Sequence, residues 1–254
     1  MQYKLFCIPY AGGSAAVYYS WKKHLPTSVE MVPIELAGRG NRLKEPFYES
    51  MKAAVGDVFS IIREEVGDND EYAVLGHSMG SWIAFEVAQK IFSSPEIKKP
   101  CHLFFSGNYP PHYSLGTGTI HLLPEKEFQQ EVMKIGGTPK IIFENEDLRK
   151  LFSPIIRADY KLLERYNGSA NSSFPCDCDV TVLCGKDDNI NERQALEWER
   201  YAGKRFSVCF FEGGHFFINE APESVADCIA AALNISPAAS GSKGKSGPSL
   251  SAHF

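Results

Sequence analysis

Gly76-His77-Ser78-Met79-Gly80 puts a serine between two glycines, after the apolar run Tyr72 to Leu75 and before a helical pattern that begins near Trp82. Strand, sharp turn and helix in that order make a nucleophile elbow. The glycines leave room for a strained turn that pushes the Ser78 hydroxyl outward, and the helix start aims backbone N–H groups at developing negative charge. A serine hydroxyl is a poor nucleophile until a base takes its proton, and an acid must hold that base in its useful tautomer. His215 is the expected base, because Gly213-Gly214-His215-Phe216-Phe217 turns off the end of the strand-like run Phe206 to Phe211. The acid is expected in Gly185-Lys186-Asp187-Asp188, at the C-terminal end of the run Val180 to Cys184, where open parallel sheets gather their ligand-facing groups. Of the two adjacent aspartates only one can face His215, and Asp188 is favoured.

A tetrahedral intermediate carries an oxyanion that needs two donors. Met79, the residue after the nucleophile, can give one backbone N–H. The loop Pro9-Tyr10-Ala11-Gly12-Gly13-Ser14, after an early strand and before a helical stretch, can give the second, although its glycines also suit a plain turn. His77 beside the nucleophile is read as a packing or hydrogen-bonding residue. His24, His102, His112, His121 and His253 stand at no spacing that suggests a partner.

Positioning these groups falls to short apolar runs bounded by turn residues: Tyr3 to Pro9, Glu30 to Leu36, Tyr72 to Leu75, Cys101 to Ser106, Val180 to Cys184 and Phe206 to Phe211. Between most of them lie helical patterns, Met51 to Val66, Trp82 to Phe92, Glu192 to Tyr201 and Ser224 to Leu233. Strands alternating with helices predict a mostly parallel, doubly wound α/β sheet, and the chain order Ser, Asp, His is that of the α/β-hydrolase fold. Leu122 to Tyr166 breaks the rhythm with helical patterns at Glu125 to Ile135, Glu146 to Phe152 and Pro154 to Tyr166. Lying between nucleophile and acid, it is expected to be a lid that excludes water, the alternative being a helical excursion that only covers one sheet edge. The domain is placed at residues 1–235 with the lid at about 115–166, and residues 236–254, rich in Ser, Gly and Lys, are expected to be a disordered tail.

Composition narrows the function classes. The chain has 26 Lys and Arg against 31 Asp and Glu, a net charge of −5, and no clustered basic excess of the kind phosphate binding requires, so no nucleic-acid partner is expected. The run Lys4 to Pro9 is too short for a signal core or a membrane span. Seven cysteines, an odd number with several inside apolar runs, fit a reducing, cytoplasmic setting. Cys176-Asp177-Cys178 has no second Cys or His pair at metal-site spacing, so no metal is expected.

Four separated motifs, Phe6-Cys7-Ile8-Pro9-Tyr10-Ala11-Gly12-Gly13-Ser14, Glu35-Leu36-Ala37-Gly38-Arg39-Gly40-Asn41-Arg42, Gly76-His77-Ser78-Met79-Gly80 and Phe211-Glu212-Gly213-Gly214-His215-Phe216-Phe217, resemble in order those of the type II thioesterases. These stand-alone enzymes accompany non-ribosomal peptide and polyketide synthases and are similar to the medium-chain acyl thioesterases of fatty acid synthesis. The resemblance runs from about Lys4 to Leu233, and Ala37, where relatives usually carry proline, is a local departure. It implies an oxyanion hole at Ala11 and Met79, an acid at Asp188 through a Gly-x-x-Asp motif, and a lid that includes Arg157-Ala158-Asp159-Tyr160. It also implies hydrolysis of acyl or aminoacyl thioesters from the phosphopantetheine arm of acyl or peptidyl carrier domains. No cofactor of the enzyme's own, no membrane partner and a monomer are expected. Carrier docking then needs a local patch, for which Arg39, Arg42, Lys44, Lys134 and Lys140 are candidates. A medium-chain acyl thioesterase or a general carboxylesterase would share every catalytic residue. A hydrolase fold used only for binding would be expected to lack a triad member, and none is lacking.

Overall fold

The computed structural model describes residues 2–113, 118–168, 176–235 and 250–251. Strands β1 (Tyr3–Ile8), β2 (Val29–Pro33), β3 (Glu71–His77), β4 (His102–Ser106), β5 (Asp179–Gly185) and β6 (Phe206–Phe211) run parallel in the order β2-β1-β3-β4-β5-β6. A two-residue strand β7 (Leu250–Ser251) pairs antiparallel to β6 at the edge. Apart from those two residues, the expected disordered tail lies outside the described residues.

Alternate residues of each strand enter different cores, as the pleat requires when both faces of a parallel sheet are covered. Phe6, Ile8, Tyr72 and Val74 pack on one side under α1 (Met51–Glu65) and α2 (Met79–Ser93). Leu5, Cys7, Ala73 and Leu75 pack on the other. There they meet Tyr18 and Trp21 of a 3-10 stretch (Ala15–Lys23), and Val225 and Ile229 of a helix near the C-terminus (Pro222–Ala232). The expected helical stretch after the Gly12-Gly13 loop is therefore a 3-10 segment. Chain direction switches between β1, which leads outward to β2, and β3, which leads the other way. Ligands of open α/β sheets bind at such a point, beyond the strands' C-terminal ends.

Two lid helices come next in the chain, α3 (Glu125–Ile135) and the short α4 (Lys140–Glu144). The two patterns read as separate at Ser153 form one helix, α5 (Glu146–Glu164), with Pro154 inside it. A proline there removes one intrahelical bond, at a cost of about 3 kcal/mol. The carbonyl left without its donor belongs to Lys150, which is exposed, while Ile155, Ile156, Asp159 and Leu162 form a continuous buried stripe that the helix gains by running on. Asn145 caps its start by accepting from the Asp147 and Leu148 N–H groups, each at 3.0 Å. Phe128, Val132, Phe143 and Ile156 give the lid a small core of its own. The remaining helices are α6 (Glu192–Leu196), α7 (Phe217–Glu220) and α8 (Pro222–Ala232). Among the described residues no helix is long and apolar enough to cross a membrane.

Candidate active site

Ser78 sits between β3 and α2 with φ 55° and ψ −118°, a left-handed strain that a non-glycine residue adopts only where its surroundings impose it. The flanking glycines allow it by close approach. A Cβ on Gly76 would lie 1.9 Å from the Gly80 carbonyl oxygen, and one on Gly80 would lie 2.2 Å from that of Ile8. The turn is pinned from β4: the Ser78 N–H donates to the Ser106 carbonyl at 2.8 Å, and the Asn108 side-chain amide donates to the Ser78 carbonyl at 2.7 Å.

His215, between β6 and α7, brings Nε2 to 3.0 Å from Ser78 Oγ. Its Nδ1 lies 2.9 Å from Asp188 Oδ2, and Asp188 Oδ1 accepts from the Asn189 N–H at 2.7 Å. With Nδ1–H donating to the carboxylate, Nε2 is left as the acceptor for the serine proton. The Asp188 carboxylate is buried beneath the partly open imidazole, whereas Asp187 is exposed. Of the two aspartates, Asp188 is the one that reaches the histidine.

His77 lies against His215, their ring centroids 5.2 Å apart. Its Nδ1 is 2.8 Å from Ser106 Oγ. Burial, and then the neighbouring His215, hold the His77 imidazole well below the ordinary histidine pKa, so it stays neutral and does not compete as a base. Ala11, in the loop after β1, lines the same cavity as Ser78 and His215. Among the described residues, the N–H groups of Ala11 and Met79 make no hydrogen bond within the protein.

The cavity has a volume of about 430 Å³. Its floor is Ser78, His215 and Ala11, and Val132, Ile156 and Tyr160 of the lid are among its walls. That size suits a small or medium acyl group. Phe216, next to His215, also lines it and lies beneath the lid loop between α3 and α4, where a Cβ on Gly137 would fall 2.1 Å from the ring. The lid thus meets the immediate neighbour of His215. Among the described residues no group of three or more His, Cys, Asp and Glu side chains could hold a metal ion.

One sequence expectation is overturned here. Arg39 is not a surface residue available for docking: it is 2 % exposed and both its terminal nitrogens are engaged by Asp159. Arg42 is also engaged, by Glu45 and Asp57. Three of the histidines that showed no partner spacing have partners from distant elements: His112 meets Glu197 and Tyr201, His121 meets Glu164, and His102 meets Thr181. Separations of 79 to 89 residues for the first and last of these carry no local signal. Asn108 was likewise missed, and nothing in its neighbourhood marks it. Asp159 does leave a trace, as a charge in the apolar stripe Ile155, Ile156, Leu162 of α5.

A parallel sheet crossed at its switch point by a nucleophile elbow, with the histidine and aspartate on later loops, defines the α/β-hydrolase fold. Within that class, residues 3–233 match the thioesterase domain family, and the chain belongs to it. It is 37 % identical to the gramicidin S biosynthesis protein GrsT of Aneurinibacillus migulanus, over 85 % of this chain and 83 % of that protein. Among solved structures it is similar to ClbQ from the colibactin NRPS/PKS pathway, with TM-score 0.85 and 34 % identity over 92 % of this chain and 98 % of that one. It is also similar to RedJ, a thioesterase from the prodiginine pathway of Streptomyces coelicolor, with TM-score 0.81 and 30 % identity over 91 % and 85 % of the two chains. The resemblance drawn from the four sequence motifs agrees with these relatives.

Proposed function

We propose that this chain is a serine thioesterase that removes acyl or aminoacyl groups from the phosphopantetheine arm of carrier domains, an editing enzyme of non-ribosomal peptide or polyketide biosynthesis. The observation that carries the reading is the continuous line from Asp188 through His215 to Ser78 at the base of a lidded apolar cavity. Relatives named for gramicidin S biosynthesis and for the colibactin NRPS/PKS pathway support the choice of substrate class.

In this mechanism Ser78 Oγ attacks the thioester carbonyl carbon as His215 Nε2 takes its proton, and Asp188 holds the resulting imidazolium. The carbonyl oxygen gains negative charge and is met by the N–H groups of Ala11 and Met79. Collapse breaks the carbon–sulfur bond, and the pantetheine sulfur takes the proton from His215. With a thiol pKa of about 8.5, this leaving group asks less of the acid than an alkoxide does. A water molecule then gives a proton to His215 and attacks the Ser78 ester; the carbon–oxygen bond to Ser78 breaks as Oγ takes that proton from His215, releasing the free acid and restoring the serine. The chemistry uses no cofactor of the protein's own, since the substrate carries the pantetheine. The enzyme acts as a cytoplasmic monomer whose partners are the acyl or peptidyl carrier domains.

The same acyl group should be presented on a carrier domain, on coenzyme A and as an aryl ester, and kcat/KM compared. The reading expects the carrier substrate to be preferred, and expects charge reversal at Lys140 of the lid to narrow that preference; Lys134 is paired with Glu131 and lines the cavity itself. Equal values for carrier and coenzyme A substrates would leave a general acyl-thioester hydrolase. Preference for the aryl ester would leave a carboxylesterase.

A further inference from the structure

The Arg39–Asp159 pair joins the lid to the loop that carries Ala11. Arg39 Nη1 and Nη2 donate to Asp159 Oδ2 and Oδ1 at 2.6 and 2.7 Å, a two-pronged pair with both side chains at most 3 % exposed. Neither group spends all its capacity on the other. Asp159 Oδ2 also accepts from the Gly12 N–H at 2.7 Å, and Arg39 Nη1 also donates to the Gly13 carbonyl at 3.0 Å. The Gly13 N–H closes the turn on the Tyr10 carbonyl at 2.9 Å. On the far side, a Cβ at Gly12, whose φ is +77°, would come within 2.7 Å of Ile156 on the same lid helix. Every polar backbone group named here on either side of Ala11 is therefore fixed, two of them by a pair of charges that spans core and lid.

We propose that Asp159, clamped by Arg39, is a positioning residue for the oxyanion loop: it holds Gly12 and Gly13 so that the Ala11 N–H is presented to the oxyanion, and it makes that geometry depend on the seating of α5. This rests on the assignment of Ala11 as an oxyanion donor under the proposed function. A buried ion pair gains little stability over well-packed apolar side chains of similar size, so its consequence lies in where its remaining hydrogen bonds point. Both point into the turn that frames Ala11. Asp159 touches neither the nucleophile nor its base, and its effect reaches the reaction through the loop.

Two double variants separate positioning from packing. Arg39→Met with Asp159→Leu removes both charges together and removes the acceptor for Gly12. Arg39→Met with Asp159→Asn also removes both charges but keeps a side-chain carbonyl for the Gly12 N–H. Hydrolysis of 4-nitrophenyl butyrate is the assay, because an activated short ester calls on the nucleophile, base and oxyanion donors without a carrier domain. Loss of one oxyanion donor lowers kcat about 10²- to 10³-fold, so a misaimed one should lower it ~10- to 100-fold. The leucine double variant should show that loss with KM within about threefold, and a proportional loss of inhibition by an alkyl boronic acid, whose adduct with serine mimics the tetrahedral intermediate. The asparagine double variant should recover most of both.

Equal kcat in the folded leucine variant and the unaltered protein, or equal loss in the two doubles, overturns the proposal. Should the doubles not fold, amide hydrogen exchange of Gly12 in the unaltered protein decides: protection comparable to the β-strands is expected, and exchange at the rate of an open loop overturns it. Ser78→Ala in the same ester assay tests the proposed function separately, since activity retained there would remove the nucleophile and leave the Gly12 result standing.

Discussion

The side chain of Asn108 holds the carbonyl of Ser78 at 2.7 Å, while its own Oδ1 accepts from the Tyr109 N–H at 2.9 Å and its backbone carbonyl accepts from Trp198 Nε1 at 3.0 Å. Because Ser78 is held at φ 55°, its turn needs support from outside, and the amide of Asn108 supplies it from the loop after β4. Asn108→Ala should cost about 0.5–1.5 kcal/mol of stability by removing one of the hydrogen bonds on the Ser78 carbonyl, which keeps the Ser81 N–H at 2.9 Å, and should lower kcat about tenfold by loosening Ser78. Urea unfolding and steady-state hydrolysis of an aryl ester check the two parts. A variant of full stability and activity would show that the elbow holds itself.

Asp188→Asn should lower kcat by about 10³- to 10⁴-fold with little change in folding, because an amide in place of the carboxylate favours the wrong tautomer of His215 and cannot hold the imidazolium. Asp187→Asn, at an exposed position, should change kcat by less than about threefold. The two rates measured side by side distinguish the aspartates, and the reverse ranking would give Asp187 the orienting role.

The arrangement of the candidate site was largely legible in the chain because Ser78 and His215 lie in short local patterns. Gly76 to Gly80 and Gly213 to Phe217 mark tight turns at strand ends, and turn chemistry is written in adjacent residues. The six parallel strands were legible for the same reason, with ends shifted by a few residues: Pro33 ends β2 before the apolar run stops at Leu36. What the chain did not disclose depends on residues far apart. Arg39 looks like a surface cation on a loop, and only the fold brings Asp159, 120 residues later, against it. Pro154 looks like a helix boundary, and only the packed stripe of Ile155, Ile156 and Leu162 shows why the helix continues through it. Asn108 and the hydroxyls that meet His77 and His102 are equally invisible before β3, β4 and β5 are aligned.

Acid should destabilise the protein before its carboxylates titrate. His102 is buried in β4, stacked on Phe104 with ring centroids 4.3 Å apart and with Nε2 at 2.8 Å from Thr181 Oγ1. Burial lowers its pKa to about 4. Between the ordinary value of about 6.5 and 4 the unfolded chain binds a proton at this residue and the folded protein does not, so stability present above pH 6.5 is lost as pH falls towards 4. His77, shifted in the same direction, adds to the loss. The contribution of His102 is at most about 3 kcal/mol across that window. Urea midpoints at pH 7.5, 6, 5 and 4 should fall progressively, and less steeply in His102→Gln. Parallel curves for the two proteins would show that His102 titrates in the folded state as it does in the unfolded chain.

The lid wall of the cavity should set which acyl chains are accepted. Val132 on α3 is buried, lines the cavity above Ser78 and His215, and packs with Phe128, Phe143 and Ile156, so its side chain is held in place and cannot swing aside for a longer substrate. Each buried methylene contributes about 0.8 kcal/mol, a factor of about four in kcat/KM, for as long as the wall leaves room. Val132→Phe fills part of the space and should move the preferred acyl chain to fewer carbons, lowering kcat/KM for the longest good substrate by about 10- to 100-fold and leaving the acetyl substrate within about twofold. Overpacking should also cost about 1–3 kcal/mol, which a thermal melt will register. Val132→Ala should act in the opposite sense, extending the preferred chain. A series of straight-chain acyl thioesters from two to twelve carbons, measured for all three proteins, makes the comparison. If the three profiles peak at the same length, the acyl chain does not lie against α3, and the lid serves only to keep water from the Ser78 ester.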